Sequence, residues 1–224
     1  MANNQSNHKI AFMIIKKLVW VLVFTLAQSL SAQTDKRAAT ILDAMGNKYK
    51  SMTSFRVAFT YLNEANAKDN MKGEATVKGT KFRLKMAGQE MFNDGNTVTT
   101  YVKESNEATI TDYDPKEAGD IDPTKIYTVY KKGYKYLFLQ ETTENGRAYE
   151  VVELSPEKKE SKITKIQIRI DKKDRSVKSW KIIQKNGQRI TFRVDKMTPN
   201  VKVDDSYFVM DKAKYPNVEF NDLR

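Results

Sequence analysis

Two short acidic stretches carry the side chains of this sequence that could take part in acid–base chemistry. EAGDID (117–122) places three carboxylates within six residues, and VDD (203–205) ends in Asp204 and Asp205. Facing carboxylates serve as general acid and base in glycoside hydrolysis, and clustered ones can bind calcium. Spacing alone does not place two carboxylates across a cleft. The sequence therefore favours solvated turns over a hydrolase site.

A third stretch, TKIYTVYKKGYKY (124–136), combines four tyrosines with four lysines. Interleaved aromatic and basic residues could form a stacking surface for single-stranded nucleic acid. They could also form an amphipathic segment whose apolar side faces lipid or a protein core. The compartment of the protein decides between these two interpretations.

The composition of the chain excludes several kinds of catalysis. The sequence has no cysteine, and its one histidine is His8. A chain that loses His8 on export has no Ser-His-Asp triad, no cysteine nucleophile and no histidine-containing metal site. No glycine-rich loop ends in Lys-Ser or Lys-Thr, so a nucleotide site is not expected either. We predict a protein that is not an enzyme and that has no metal and no cofactor.

Residues 1–32 have the pattern of a secretory signal peptide. Three lysines and no acid occur in this region, and the apolar run LVWVLVFTL (18–26) is followed by the small residues of AQSLSA (27–32). The run is short for a membrane span, which favours cleavage between Ala32 and Gln33 over a retained anchor. Cleavage lowers the formal net charge from +11 by three to +8. We expect one periplasmic domain, residues 33–224, and export argues against nucleic acid as a partner. The charge could favour an anionic membrane or an acidic partner, or could serve solubility alone.

One helix and many short strands are predicted after residue 35. Ala39, Leu42, Met45 and Tyr49 recur at helical spacing within residues 36–52, although Gly46 weakens the pattern. Eleven segments have strand character: SFRVAFTY, GEATVKG, KFRLKMA, NTVTTYV, NEATITDY, YKYLFLQ, RAYEVVEL, KITKIQIRID, SVKSWKIIQ, QRITFRVDKM and SYFVM. Asp-Gly and Asn-Gly pairs at 94–95, 145–146 and 186–187 predict tight hairpins. The expected fold is mainly β with a few helices, a curled antiparallel sheet of about eleven strands that forms an unclosed barrel.

A short helical lid is predicted over the opening of this barrel. Asp122 can cap a helix with Pro123 in its first turn, and Gly133 can end it. Within it, Ile126, Val129 and Tyr130 share an apolar face that Tyr127 borders.

Bulky side chains that alternate along the strands are the candidates for the inner face of the barrel. They are Phe55, Val57, Phe59, Phe82, Leu84, Met86, Ile166, Ile168, Ile190 and Phe192, with Val194 next in the same pattern. Each could be ordinary core, but a sheet of this width encloses more space than its side chains fill. The sequence therefore predicts an apolar ligand cavity.

The hairpin at Asn186-Gly187 leaves one question open. A two-residue turn would place Ile183 opposite Ile190, and Trp180 and Ile182 would then lie on the other face from Phe192. Either a bulge shifts the register, or the N-terminal helix packs on that outer face.

The order of these elements resembles the periplasmic outer-membrane lipoprotein carrier family, LolA. The resemblance rests on the helix followed by SFRVAFTY, GEATVKGTKFRLKM, DGNTVTTYVKESNEATITDYDP and the closing DSYFVMDKAKYPNVEFNDL. It implies an unclosed barrel under a lid, non-covalent binding of acyl chains and no catalysis. The implied partners are acylated lipoproteins, the ATP-driven inner-membrane transporter that releases them and an outer-membrane acceptor where one exists, with the carrier acting as a monomer. One departure is Gly79, at a position where many members have an arginine that helps to hold the lid, so Tyr127 or Tyr130 could take over that task.

Three other kinds of function fit the same sequence. A lipid or glycolipid binder, or a sensor of lipoproteins, would use the same fold. A hydrolase would depend on Asp204 and Asp205, and a nucleic-acid binder on the tyrosine–lysine stretch.

Overall fold

The computed structural model describes residues 35–115, 122–125 and 127–224, and the side chain of Val129 is not described. The predicted signal peptide and Ile126 lie outside the described residues. Residues Asp35–Arg224 form one compact unit. None of the described helices has the length and apolar character needed to cross a membrane.

A twelve-stranded sheet forms most of this unit. Its strands are β1 Phe55–Asn63, β2 Met71–Lys78, β3 Lys81–Met86, β4 Gln89–Asn93, β5 Thr97–Val102, β6 Glu107–Asp112, β7 Tyr134–Glu144, β8 Arg147–Pro156, β9 Ile163–Asp171, β10 Val177–Gln184, β11 Arg189–Pro199 and β12 Glu219–Asp222. The spatial order is β12-β6-β5-β4-β3-β2-β1-β11-β10-β9-β8-β7. All neighbours are antiparallel except β12, which runs parallel to β6. The sheet is curled and unclosed, as predicted, with β12 and β7 at its two edges.

The helix α1 (Lys36–Lys50) packs on the β7 and β8 side of the sheet. Its buried residues are Ala38, Ile41, Leu42, Met45, Gly46 and Tyr49, which agrees with the predicted apolar face except that Ala38 and Ile41 are buried and Ala39 is only half-buried. Asp35 caps the helix, since its Oδ1 accepts hydrogen bonds from the backbone N–H groups of Arg37 and Ala38. Its Oδ2 accepts from the Phe138 N–H at 2.7 Å, so one carboxylate fixes α1 to β7.

The two faces of the sheet carry separate apolar clusters. The larger one joins α1 to the inner face and includes Leu42, Val152, Ile166 and Trp180. The smaller one lies on the outer face of β4–β6, where Phe92 and Ala108 pack against Met210, Tyr215 and Phe220 of the C-terminal segment. The C-terminal residues therefore cover the outer face and end as β12 beside β6.

The β10–β11 hairpin settles the register of these strands. Its loop has three residues, because Gln184 and Gln188 are joined by a backbone hydrogen bond and Gly187 has φ +85°. The extra residue moves the register by one, so Trp180 pairs with Phe192 and Ile182 with Ile190. This loop corresponds to the first of the two alternatives, a bulge that shifts the register. The second alternative is wrong, because α1 packs on the inner face. The Asn145-Gly146 turn has two residues, as predicted, with positive φ at both.

Three predicted details differ from the structure. SYFVM (206–210) is not a strand, since a 3-10 turn covers Asp205–Phe208, and strands β4 and β12 were not predicted. The predicted lid helix is replaced, in the described residues between 122 and 133, by turns and one 3-10 turn at Val129–Lys131. The backbone N–H groups of Lys125, Thr128 and Lys131 each bond to the carbonyl three residues earlier. Residues 126–130 are all β-branched or aromatic, and such residues have low helix propensity.

Candidate functional site

An apolar cavity lies on the inner face of the sheet. Its wider part has a volume of about 640 Å³ and its narrower part about 90 Å³, and Leu84, Met86 and Pro123 line both. The wider part is also lined by Phe82, Gln89, Met91, Val98, Thr100, Thr111, Asp112, Tyr113, Asp114 and Asp122. The narrower part is also lined by Val57, Phe59, Ala75, Val177, Trp180, Ile182, Phe192 and Val194.

Strand alternation and register explain why these side chains share one face. Val57 of β1 lies opposite Ala75 of β2, which lies opposite Leu84 of β3. The same row continues through Met91 of β4 to Thr100 of β5. Because partners in an antiparallel ladder project to the same side, one apolar row crosses five strands and becomes more polar toward β5.

Gly73 makes room for one wall of the cavity. Gly73 is on β2, opposite Phe59 of β1. A Cβ at this position would be 2.4 Å from the Phe59 Cζ and 3.0 Å from the Lys85 carbonyl oxygen. The Phe59 ring therefore lies directly over the β2 backbone, where only glycine leaves sufficient space. Phe192 meets this ring edge to face at 5.8 Å.

The described residues 122–125 and 127–131, here called the crossing segment, connect the cavity to α1. Tyr127 stacks on Tyr49 with ring centroids 5.6 Å apart, and it contacts Phe55 edge to face. The Tyr130 hydroxyl donates a hydrogen bond to Asp43 Oδ1 at 2.9 Å. The Tyr127 ring and the Tyr130 hydroxyl thus hold the crossing segment on the helix. That either hydroxyl latches a lid over a ligand stays a prediction.

Gly46 of α1 allows this close approach. A Cβ there would lie 2.8 Å from the Tyr130 hydroxyl oxygen and 3.2 Å from the Tyr127 carbonyl oxygen. The glycine that weakens the helix pattern in the sequence is therefore where the crossing segment contacts the helix. Gly79, by contrast, lies in the β2–β3 turn with φ +60° and has open space around the position of a Cβ.

The other end of the crossing segment is polar. Asp122 accepts hydrogen bonds from the Tyr113 hydroxyl at 2.7 Å and from the N–H and hydroxyl of Thr124 at 2.8 and 2.7 Å. Asp122 thus closes a local turn and ties the segment to the end of β6. The wider cavity therefore has an apolar wall and a polar rim.

The tyrosines around the cavity stay neutral at physiological pH. Burial raises the pKa of Tyr49 to about 12 and also raises the pKa of Tyr127. Burial and the hydrogen bond to Asp43 raise the pKa of Tyr130. Burial, aided by Asp122, raises the pKa of Tyr113. The neutral hydroxyls of Tyr113 and Tyr130 donate hydrogen bonds to Asp122 and Asp43, and the Tyr49 hydroxyl accepts one from the Val177 N–H.

The structure divides the predicted cavity residues into two groups. Val57, Phe59, Phe82, Leu84, Met86 and Phe192 line the cavity, as does Val194. Phe55, Ile166 and Ile168 are buried in the cluster that joins α1 to the sheet, and Ile190 is half-buried outside the lining. Trp180 and Ile182 line the cavity although the two-residue turn had placed them on the opposite face. A three-residue count for the Lys185–Gly187 loop would have identified them.

Asp204 and Asp205 of the second acidic stretch make structural contacts on the outer face. Asp205 forms ion pairs with Lys78 at 2.9 Å and Lys81 at 2.8 Å, and these contacts lower its pKa to about 2. The carbonyl oxygen of Asp204 accepts from the Tyr207 N–H in the adjacent 3-10 turn. Within the described residues, no three His, Cys, Asp or Glu side chains are grouped to hold a metal ion.

Comparison with known proteins gives a family and a fold. The sequence model described as "Outer membrane lipoprotein carrier protein LolA" matches residues 50–211. No curated protein matches the chain. An uncharacterized conserved protein from Thermus thermophilus superimposes with a TM-score of 0.58 at 10% identity, covering 84% of this chain and 99% of that one. At this identity the likeness shows the fold alone.

Two further solved structures are less similar. A DUF1329 family protein from Desulfovibrio piger has a TM-score of 0.49 at 10% identity, with 82% of this chain and 100% of that one covered. A LolA superfamily protein from Nitrosomonas europaea has a TM-score of 0.42 at 13% identity, with 81% and 100% covered.

Proposed function

The chain belongs to the LolA family, and from this premise we propose that it is a periplasmic carrier of lipoproteins. In this proposal the cavity binds the acyl chains of lipoproteins released from the inner membrane and shields them on the way to the outer membrane. The partners would be acylated lipoproteins, an ATP-driven transporter at the inner membrane and an outer-membrane acceptor where one exists. The carrier would act as a monomer without catalysis or cofactor, after cleavage between Ala32 and Gln33.

The observation that carries this proposal is the apolar lining that runs across strands β1 to β3 and β10 to β11. Ten of the eleven residues around the narrower part are Val, Ile, Leu, Met, Phe, Trp or Ala, and the eleventh is Pro123. Such a lining suits hydrocarbon better than a ligand with many polar groups, which would need hydrogen-bond partners. In this proposal a chain that enters the wider part extends past Leu84 and Met86, which line both parts, into the narrower one.

The energetics of transport make a protected cavity necessary. Each methylene removed from water contributes about 0.8 kcal/mol, so three chains of roughly sixteen carbons represent some 35 to 40 kcal/mol. A lipoprotein cannot cross an aqueous compartment with that surface exposed. The cavity would supply an apolar environment, and the tyrosine contacts of the crossing segment would let it open for release. Since no nucleotide motif is seen in the sequence, the energy for extraction would come from the transporter.

A second candidate is a lipid or glycolipid binder of the same fold. The observation that favours it is the polar rim formed by Asp112, Asp114 and Asp122 beside the apolar wall of the wider part. A single amphiphile could place its headgroup at this rim and its chains inside. The volume of about 640 Å³ lies within the range of small-molecule sites.

Native mass spectrometry of protein purified from the periplasm without detergent tests both candidates. An adduct with the mass of a lipoprotein, lost on collisional activation, is the expected result for the carrier. An adduct with the mass of a phospholipid or glycolipid would favour the second candidate. Bare protein that also takes up no lipoprotein from inner membranes would contradict both. The same spectra give the mass of the N-terminus and so test cleavage at Ala32-Gln33.

A further inference from the structure

The outer side of edge strand β7 presents two leucines to solvent. Leu137 is 53% exposed and Leu139 is 39% exposed. Tyr136 and Phe138, which alternate with them, pack against the inner apolar cluster. Among the described residues β7 pairs only with β8, and both leucine side chains are left exposed.

Exposed lysines gather at the end of the sheet where β7 begins. Three loops meet there, because the Glu157 N–H bonds to the Gly133 carbonyl at 2.9 Å and the Lys185 N–H bonds to the Lys162 carbonyl at 2.8 Å. The exposed lysines on and beside these loops are Lys131, Lys132, Lys135, Lys158, Lys159, Lys162 and Lys185. Of these seven lysines, only Lys131 forms an ion pair with a described residue, namely Asp43 at 3.5 Å. Seven lysines and the two glutamates of these loops, Glu157 and Glu160, give an excess of five positive charges.

We propose that these seven lysines, with Leu137 and Leu139, form a docking surface for anionic phospholipid bilayers. Lysines near a bilayer are attracted by the negative surface potential, and leucines can enter the interfacial layer. Lys135 and Leu137 are two residues apart on the same side of β7, about 7 Å, so both can meet one surface. The inference goes beyond the proposed function, because it concerns the protein with or without cargo.

Two contacts favour a bilayer over a partner strand at this edge. The Asp35 carboxylate already accepts the outward N–H of Phe138 at 2.7 Å. The Arg37 guanidinium lies 3.5 Å from the centre of the Phe138 ring. An incoming strand would have to displace the Asp35 carboxylate from the Phe138 N–H to continue the ladder and would meet Arg37 beside it, whereas a bilayer that approaches the lysines and leucines displaces neither.

Vesicle flotation with the exported protein tests the docking surface. Vesicles of phosphatidylglycerol and phosphatidylethanolamine in equal parts should bind the protein, and phosphatidylcholine vesicles should not. Binding should weaken as salt rises from 0.1 M to 0.5 M, because the Debye length is about 10 Å at 0.1 M and shortens at higher salt. Absence of binding to the anionic vesicles would overturn the proposal and would point to a protein as the occupant.

Two sets of lysine substitutions distinguish vesicle binding at this surface from a general effect of the net charge of the protein. The variant K132Q/K135Q/K158Q/K159Q should bind anionic vesicles roughly six-hundredfold less tightly, from about fivefold for each of the four lysines. The matched control K50Q/K173Q/K196Q/K202Q removes the same charge from exposed lysines toward the opposite end of the strands, and should keep most of the binding. Equal losses in both variants would overturn the proposal.

The leucines have their own test. The variant L137S/L139S should lose most of the binding that persists at 0.5 M salt, because that part comes from apolar contact. Unchanged binding at high salt would remove the leucines from the surface. All variants share the same N-terminus, so its contribution to vesicle binding is the same in each. If native mass spectra show no lipoprotein adduct on a protein that still binds vesicles, this result would contradict the proposed function alone.

Discussion

The Tyr130 hydroxyl and the Asp43 carboxylate, 87 residues apart in sequence, meet at 2.9 Å and join the crossing segment to α1. Gly46, one turn farther along the helix, leaves the space that brings Tyr130 this close. A single hydrogen bond of this kind contributes about 1 kcal/mol, enough to hold a segment closed and weak enough to release it.

Removing this hydroxyl should loosen the crossing segment. We expect Tyr130→Phe to release a bound fluorescent fatty acid about fivefold faster, since 1 kcal/mol corresponds to about that factor. Stopped-flow displacement measures the rate. Tyr215→Phe is the control, because its hydroxyl donates to Glu90 at 2.7 Å on the outer face. Equal release rates for both variants and the unchanged protein would show that the Tyr130 bond does not hold the cavity closed.

Gly73 should tolerate no side chain while Phe59 keeps its place. Gly73→Ala puts a methyl group 2.4 Å from the Phe59 ring, and overpacking of this kind costs about 1 to 3 kcal/mol. Urea unfolding should show this loss. The double variant Gly73→Ala/Phe59→Leu should regain part of it, because the smaller side chain frees the space. Strictly additive losses would mean that the clash with Phe59 is not the cause.

Filling the cavity should compete with its ligand. Leu84 lines both parts, so Leu84→Trp should lower fatty-acid affinity at least tenfold, or about 1.4 kcal/mol, while the sheet stays folded. Isothermal titration measures affinity and circular dichroism checks the fold. Val209→Trp adds the same ring at an exposed site and should leave affinity unchanged. Full affinity in Leu84→Trp would place the ligand elsewhere.

Glu90 should make the outer face sensitive to acid. Burial raises the pKa of Glu90, but hydrogen bonds from Arg83, Tyr215 and Lys85 outweigh burial and lower the pKa below its usual value. A lowered folded-state pKa gives stability that is fully present above about pH 4.3 and is lost as pH falls through the lower folded value.

The matching variant is Glu90→Gln. It should destabilise the protein by about 2 kcal/mol at pH 7, and the difference should shrink below about pH 4 as Glu90 itself becomes protonated. Urea unfolding between pH 7 and pH 2.5 measures this, with Glu107→Gln as an exposed control on β6. A difference that stays constant across this range would assign the loss to packing and not to charge.

Strand alternation in the sequence was sufficient to predict most of the sheet and six of the ten proposed cavity residues. The remainder depended on quantities that alternation does not contain. The length of one loop decided whether Trp180 and Ile182 face the cavity. Phe55, Ile166 and Ile168 have the same pattern as lining residues, but they are buried in the cluster that joins α1 to the sheet.

The missed and mistaken elements have local causes. Strand β4 follows a turn at Ala87-Gly88, where alanine adopts φ +54° without an Asn-Gly signal. SYFVM has apolar residues at alternate positions, yet Phe208 and Met210 are buried by the outer face of the sheet without strand pairing. In the crossing segment, contacts of Tyr127 and Tyr130 with α1 fix the backbone as turns, and no local pattern reports such distant contacts.

An open sheet with edges at β12 and β7 can widen its concave side without breaking the hydrogen bonds between its strands. In a closed barrel, strand number and stagger fix the diameter, so a bulkier guest requires ruptured hydrogen bonds. Here a small added twist at each of eleven interfaces would widen the concave side and leave every pairing intact. Under the proposed function, the same scaffold would accept ligands with different numbers of acyl chains, and its selectivity would depend on the bending stiffness of the sheet more than on a fixed cavity shape.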